Sequence, residues 1–290
     1  MPEINITPKS SPSPETTVMY EDTTTSFNSY DSAAEISVTI ADEKVPIVVF
    51  FGAPQCGKTM ALVRLARYLK KQNYTVAPVR SFRPSSDEKY KQICDEFDSK
   101  IDSSNAQGRT ELVDFLLLEV RKRGKKICQI LEAPGEGYFD PDDPQKQMDS
   151  YVTEIINSQN RKIWVIITEP DWKEVGLRVG YVERIKQLNN ITKSNDRFLF
   201  LYNKIDKTQL QLSGGKVNEN AAIKDVKNLY PGIFEPFKET RPILEWFGGY
   251  SCDFATFTTG TYYRHDRGLR YVQSPDYYPE RLWSKISKRL

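Results

Sequence analysis

The chain has 290 residues, 39% of them apolar and 28% charged, enough to bury a full core as one large domain or two small ones. No run of about 18 apolar residues occurs and the N-terminus lacks the charged-then-apolar order of a secretion signal, so no transmembrane segment and a cytoplasmic location are expected. Four cysteines without a CxxC pair and a single histidine, His265, argue against a structural zinc site, a disulfide framework and most hydrolase triads.

Chemistry in such a chain is expected to run on Lys, Thr, Asp or Glu and on a metal held by oxygen ligands. The net charge of +2 conceals an asymmetry: residues 1–44 carry eight acids against two bases, or −6, which leaves +8 on the rest. That surplus suits a polyanionic ligand but is too dilute over the remaining chain to indicate nucleic acid, and no nucleic-acid partner is expected.

Residues 1–32 contain twelve Ser or Thr and four Pro with little apolar periodicity, so residues 1–35 are expected to form a disordered acidic tail. Ile36, Val38 and Ile40 alternate with polar residues as a half-buried edge strand would, and "PIVVFFG" reads as a strand buried on both faces. Helical periodicity follows over 58–72. "YTVAPVRSF" reads as a strand and "SSDEKYKQICDEFDSKI" as a helix capped by Ser85 or Ser86.

"TELVDFLLLEVRKRGKKICQILE" reads two ways, as one long helix or as a hairpin of two strands turning at "RKRGKK". Beyond it, "RKIWVIITEP" and "DRFLFLYNKID" are buried-strand runs separated by a helix around "VERIKQLNN", a pattern that indicates a mostly parallel sheet with helices on both faces. A polar insertion from 207 to about 245 is expected to be helical at "NENAAIKDVKNLY". "CDFATFTTG" is the last strand the pattern predicts. The closing "PERLWSKISKRL" places Leu282, Trp283, Ile286 and Leu290 on one helical face, and its Arg281, Lys285, Lys288 and Arg289 leave a partner or membrane-surface role open.

"GAPQCGKT" (Gly52, Ala53, Pro54, Gln55, Cys56, Gly57, Lys58, Thr59) matches GxxxxGK[ST] directly between an apolar strand and a helical run. The glycines let the backbone wrap phosphates, the helix N-terminus supplies positive potential, Lys58 meets the terminal phosphates and Thr59 can ligate magnesium. Cys56 within this loop is either a redox-sensitive thiol or a small packing residue.

"NKID" (Asn203, Lys204, Asp206) ends its strand about 145 residues after the loop and resembles the [NT]KxD sequence with which GTP-binding proteins read guanine. That resemblance implies that Asp206 accepts from the guanine ring and amino nitrogens, that Asn203 contacts the base edge and secures the loop, and that the Lys204 stem lies over the ring. Thr110 precedes Glu132 by 22 residues, the spacing between the switch I threonine and the second switch in Ras-like GTPases, which favours the hairpin reading of 111–131. "TFTTGT" sits where that family places the small-residue loop on guanine, here Thr259 and Gly260.

The chain thus resembles P-loop GTPases of the Ras-like, translation-factor-related (TRAFAC) class, and bacterial GTPase-domain proteins among them. The resemblance implies an α/β G domain over 36–262, with a mixed, mostly parallel sheet, one antiparallel strand from a switch hairpin, and helices on both faces. Insertions at about 75–108 and 207–245 and an extension over 263–290 with a terminal helix depart from the pattern. It also implies GTP or GDP as ligand, Mg2+ as cofactor held by Thr59, Thr110 and Glu132, and a protein effector.

In "LEAPGEG" the switch II acid is Glu132 rather than Asp, Gly135 is the γ-phosphate sensor, and Glu136 stands where a water-orienting Gln is usual. A carboxylate at that position adds negative charge near a developing phosphate anion, so slow hydrolysis is expected, with Lys58, Thr110, Glu136 and Arg109 as the catalytic set and Arg109 as an arginine finger in cis. Arg80 and Arg83 are weaker candidates for that finger, and a solvated basic face is the other reading for all three arginines. Two other readings stay open: a nucleotide-binding scaffold without hydrolysis, and a P-loop ATPase or kinase with an accidental NKID.

Overall fold

The computed structural model describes residues 39–40, 42–102, 115–143, 145–172, 174–211, 216–238, 249–265 and 268–290. The tail, Ile36, Val38, Arg109 and Thr110 lie outside the described residues. Of the expected edge strand, Thr39 and Ile40 are described; they join no sheet, and the Thr39 N–H donates to the Phe82 carbonyl at 2.8 Å.

β1 (Ile47–Phe51) is the centre of the fold: all five side chains are fully buried, so both faces of the sheet are covered there. Each such side chain contributes about 1.5–3 kcal/mol relative to exposure. β2 (Tyr74–Pro78), β3 (Leu116–Lys122), β4 (Lys125–Glu132), β5 (Lys162–Thr168), β6 (Arg197–Tyr202) and β7 (Cys252–Thr256) complete a seven-stranded sheet of order β2-β3-β4-β1-β5-β6-β7. β3 runs antiparallel to both neighbours, and every other adjacent pair is parallel. The fold is therefore the expected α/β class, with one antiparallel strand contributed by a hairpin.

That hairpin resolves the stretch that also read as a helix. β3 and β4 pair from Leu116↔Glu132 to Lys122↔Lys125, around a two-residue turn in which Arg123 (φ 51°) and Gly124 (φ 78°) are both left-handed. Positive φ at both positions matches the strand twist, which is why this turn joins tightly paired strands. The inserted β2 extends the sheet beyond β3, and α2 (Glu88–Asp102) follows it. The cap of α2 is Asp87 rather than Ser85 or Ser86: its Oδ1 accepts from the Tyr90 N–H at 2.9 Å. The two serines instead form a turn that closes when the Asp87 N–H donates to the Pro84 carbonyl at 2.9 Å.

α1 (Lys58–Lys71) packs against α2 and against the terminal helix α7 (Tyr277–Ser287), which also lies on β7. Leu282, Trp283 and Ile286 are buried as the apolar stripe predicts, and Leu290 packs against the core half-buried. Arg281 pairs with Glu219 at 2.6 Å and Arg289 with Asp253 at 2.6 Å, so these two bases are engaged within the chain.

The short α3 (Gly135–Tyr138) and α4 (Ser150–Asn157) follow β4; α5 (Val175–Ile191) links β5 to β6; and α6 (Glu219–Leu229) forms the helix expected in the second insertion. Asn218 caps α6 by accepting from the Ala221 N–H at 3.1 Å. β7 is not the last strand, contrary to the sequence reading. Gly260–His265 and Gly268–Gln273 pair antiparallel as β8 and β9, in a separate two-stranded sheet that begins at Gly260. No described helix is long and apolar enough to cross a membrane.

Candidate functional site

In an open α/β sheet, ligands bind beyond the carboxyl ends of the strands, where crossovers change direction. Those ends here run in space as β4, β1, β5, β6 and β7, and they carry, in that order, Glu132 with Gly135, the loop 52–57, Glu169, Asn203 to Asp206, and Thr258. Residues far apart in sequence thus form one row.

The loop between β1 and α1 has the backbone its glycines allow. Gly57 (φ 88°) precedes the first helical residue, and Gln55 (φ 60°) is also left-handed. Side chains on both key glycines would collide: a Cβ on Gly52 would lie 2.5 Å from Cys56 Sγ, and one on Gly57 2.6 Å from Asn203 Nδ2. Lys58 is buried, with its ammonium donating to the carbonyls of Gly52 (3.2 Å) and Ala53 (3.1 Å), so the cation is held over the loop. Cys56 is buried too, and burial pushes its thiol up, away from the reactive thiolate. The packing role of Cys56 is therefore the one the structure supports.

The end of β4 and the residues after it close on this loop. The Thr59 hydroxyl donates to Glu132 Oε1, so the two expected metal ligands on described residues are in contact. Gly135 abuts the loop so tightly that a Cβ would come within 2.4 Å of Pro54 N and 2.7 Å of Lys58 Nζ. Glu136 lies exposed on the first turn of α3, while Tyr138 and Phe139 after it are buried among Phe51, Tyr151, Tyr181 and Trp172. Among the described residues no group of three acids, histidines or cysteines gathers as a self-sufficient metal site. One hydroxyl and one carboxylate are what a protein supplies to a magnesium ion that takes its remaining oxygens from phosphates and water.

On the other side of the loop, Asn203 Nδ2 donates to the Cys56 carbonyl at 2.8 Å and joins the NKID turn to the loop 52–57. Lys204 takes a left-handed conformation (φ 54°), and its ammonium is ion-paired with Glu169. Asp206 Oδ1 accepts from the Thr258 hydroxyl at 2.6 Å, and the Ile205 N–H donates to the Phe257 carbonyl at 3.1 Å. Phe257 and Thr258 therefore stand beside NKID, with Thr259 and Gly260 next in the chain.

Arg80 and Arg83, the further finger candidates, are both engaged in ion pairs. Arg80 pairs with Asp95 at 2.7 Å and Asp98 at 3.4 Å, and the buried Arg83 pairs with Asp87 at 2.5 Å. Glu169, which sequence reading missed, ends β5 inside the row and is 9% exposed. Its signal was an acid directly after a seven-residue buried strand, "KIWVIIT". A cavity of about 380 Å³ opens beside it, lined among others by Pro54, Gln55, Asp171, Trp172 and Lys204.

No protein-family model and no curated protein matches this chain. Among solved structures it is similar to nucleolar GTP-binding protein 1 of Plasmodium falciparum at 11% identity and a TM-score of 0.39, over 87% of this chain and 90% of that one. It is also similar to Methanosarcina barkeri Roco2 bound to GDP, at 14% identity and a TM-score of 0.31, over 80% of this chain and 47% of that one. The apo cytosolic domain of the T. maritima FeoB iron transporter is similar at 12% identity and a TM-score of 0.32, over 84% of this chain and 64% of that one. The chain thus spans under two thirds of the second and third of these.

Proposed function

We propose that this protein is a guanine-nucleotide switch of the P-loop GTPase kind, which binds GTP with Mg2+, hydrolyses it slowly to GDP, and signals its state to a partner protein. The observation that carries the reading is the Asn203 bond to the Cys56 carbonyl at 2.8 Å, because it brings a phosphate-type loop and a base-reading turn into one site. Lys58 and the loop N–H groups bind the phosphates, the Gly135 N–H faces the terminal one, and Asp206 accepts from guanine. Adenine offers no donors at those two positions.

Thr59 and Glu132 would hold the magnesium, which when bound would supply positive charge to offset that of the phosphates. Glutamate keeps the charge of the usual aspartate with one methylene more, and its Oε1 accepts from the Thr59 hydroxyl. Glu136, exposed on α3, can orient a water while adding unfavourable charge to the transition state, so turnover is slow.

Glu132→Asp is expected to keep GTP binding and to keep or raise single-turnover hydrolysis. Loss of GTP binding in that variant would contradict the assignment of Glu132. Cleavage by the unaltered chain no faster than the buffer background would leave a nucleotide-binding scaffold without hydrolysis.

A further inference from the structure

The residue beside NKID with the most distinctive setting is Glu169, which no motif contains. Its carboxylate is almost fully withdrawn from water, with 11% of the side chain exposed, and its partner is the ammonium of Lys204. Burial pushes the Glu169 carboxyl up, while the Lys204 ammonium beside it pulls the other way. A buried ion pair is a poor device for stability, since desolvation offsets most of the attraction. What it does fix is position: it holds a long, flexible lysine side chain in one place.

Glu169 is itself fixed from the second insertion. Tyr230, fully buried at the end of α6, accepts from the Glu169 N–H at 3.3 Å and donates to the Glu169 carbonyl at 2.8 Å. A second tie joins α6 to the base-reading strand, where the Tyr202 hydroxyl donates to Asp225 Oδ2 at 2.6 Å. The neighbouring pair Asp171–Lys207, at 3.3 Å with side chains 40% and 56% exposed, belongs to the weak surface class.

We propose that Glu169 is a positioning residue for guanine binding, which pins the Lys204 stem where a purine ring stacks on it, and that α6 supports it through Tyr230. This rests on the guanine-nucleotide reading above and adds to that site a determinant outside the four-letter motif. Because a pinned stem acts on the ring face and Asp206 on the ring edge, the two make separable contributions: Glu169 sets affinity for any purine of this shape, whereas Asp206 sets the preference for the 2-amino group.

Fluorescently labelled GDP and the inosine analogue IDP, which lacks that amino group, are titrated into the full chain and its variants, with a melting curve for each. Glu169→Gln and Lys204→Met are each expected to weaken GDP and IDP binding by about tenfold, with the GDP-to-IDP ratio unchanged. The double variant loses no more than either single one, since both remove one interaction. Asp171→Asn changes affinity by less than about twofold, and Asp206→Asn collapses the GDP-to-IDP ratio.

A folded Glu169→Gln that binds GDP as tightly as the unaltered chain would overturn the proposal, as would losses that add in the double variant. If Glu169→Gln does not fold, Glu169→Asp decides: it shortens the reach to Lys204, and undiminished affinity for GDP overturns the proposal equally. Failure of the unaltered chain to bind GDP would overturn the reading of the site itself, a result distinct from either.

Discussion

Lys58→Ala is expected to weaken GTP binding by about 100-fold or more. The lysine is buried at the first turn of α1, and its ammonium lies within 3.2 Å of two loop carbonyls, Gly52 and Ala53, so it is held over the loop. A hydrogen bond to a charged group is worth about 1.5–3 kcal/mol, and a lysine meeting two phosphates makes at least two, while each factor of ten in affinity corresponds to about 1.4 kcal/mol. The substitution also strips a donor from the Gly52 and Ala53 carbonyls, so the melting temperature is expected to fall as well. Equilibrium titration with labelled GTP checks the first effect and a melting curve the second. A folded Lys58→Ala protein with GTP affinity within about threefold of the unaltered chain would place the phosphates elsewhere.

Gly135→Ala is the second large effect, and it separates the switch from the cradle. The added methyl would sit 2.4 Å from Pro54 N, 2.6 Å from Ala53 C and 2.7 Å from Lys58 Nζ, and the first two are backbone atoms that cannot swing aside. α3 must therefore move off the loop. Overpacking of this kind costs about 1–3 kcal/mol, which at about 2–4 °C per kcal/mol lowers the melting temperature by several degrees. Because the Gly135 N–H is assigned to the γ-phosphate, GTP affinity is expected to fall more than GDP affinity. Equal losses for the two nucleotides would remove Gly135 from the sensing role, and an unchanged melting temperature would show that α3 does not rest on the loop.

Much of this site was legible in the sequence because its parts are local. Gly52 to Thr59 are contiguous, and their strand-before, helix-after setting is readable from apolar periodicity. NKID follows its strand without a gap, and the "RKRG" turn of the hairpin shows in its glycine. What was not legible depends on contacts between distant segments.

Glu169 meets Lys204 only because β5 and β6 are neighbours in the sheet, and Tyr230 reaches Glu169 only because α6 returns to the same edge. Asp87 displaced Ser85 and Ser86 as a cap because Pro84 set the preceding turn. β8 and β9 were missed because "GTYYRH" and "GLRYVQ" lack the apolar run that marks a buried strand, although both carry the aromatic and β-branched residues that favour pairing.

The measurement that tests the central claim most directly is competition of unlabelled GTP and ATP for a site occupied by labelled GTP in the presence of Mg2+. The Asp206 carboxylate, oriented by the Thr258 hydroxyl at 2.6 Å, can accept from two guanine N–H groups that adenine does not have. Two charge-assisted hydrogen bonds predict that GTP displaces the label at concentrations about 100-fold or more below those ATP requires. ATP competing as well as GTP, or better, would contradict the guanine assignment and make NKID an ordinary polar turn.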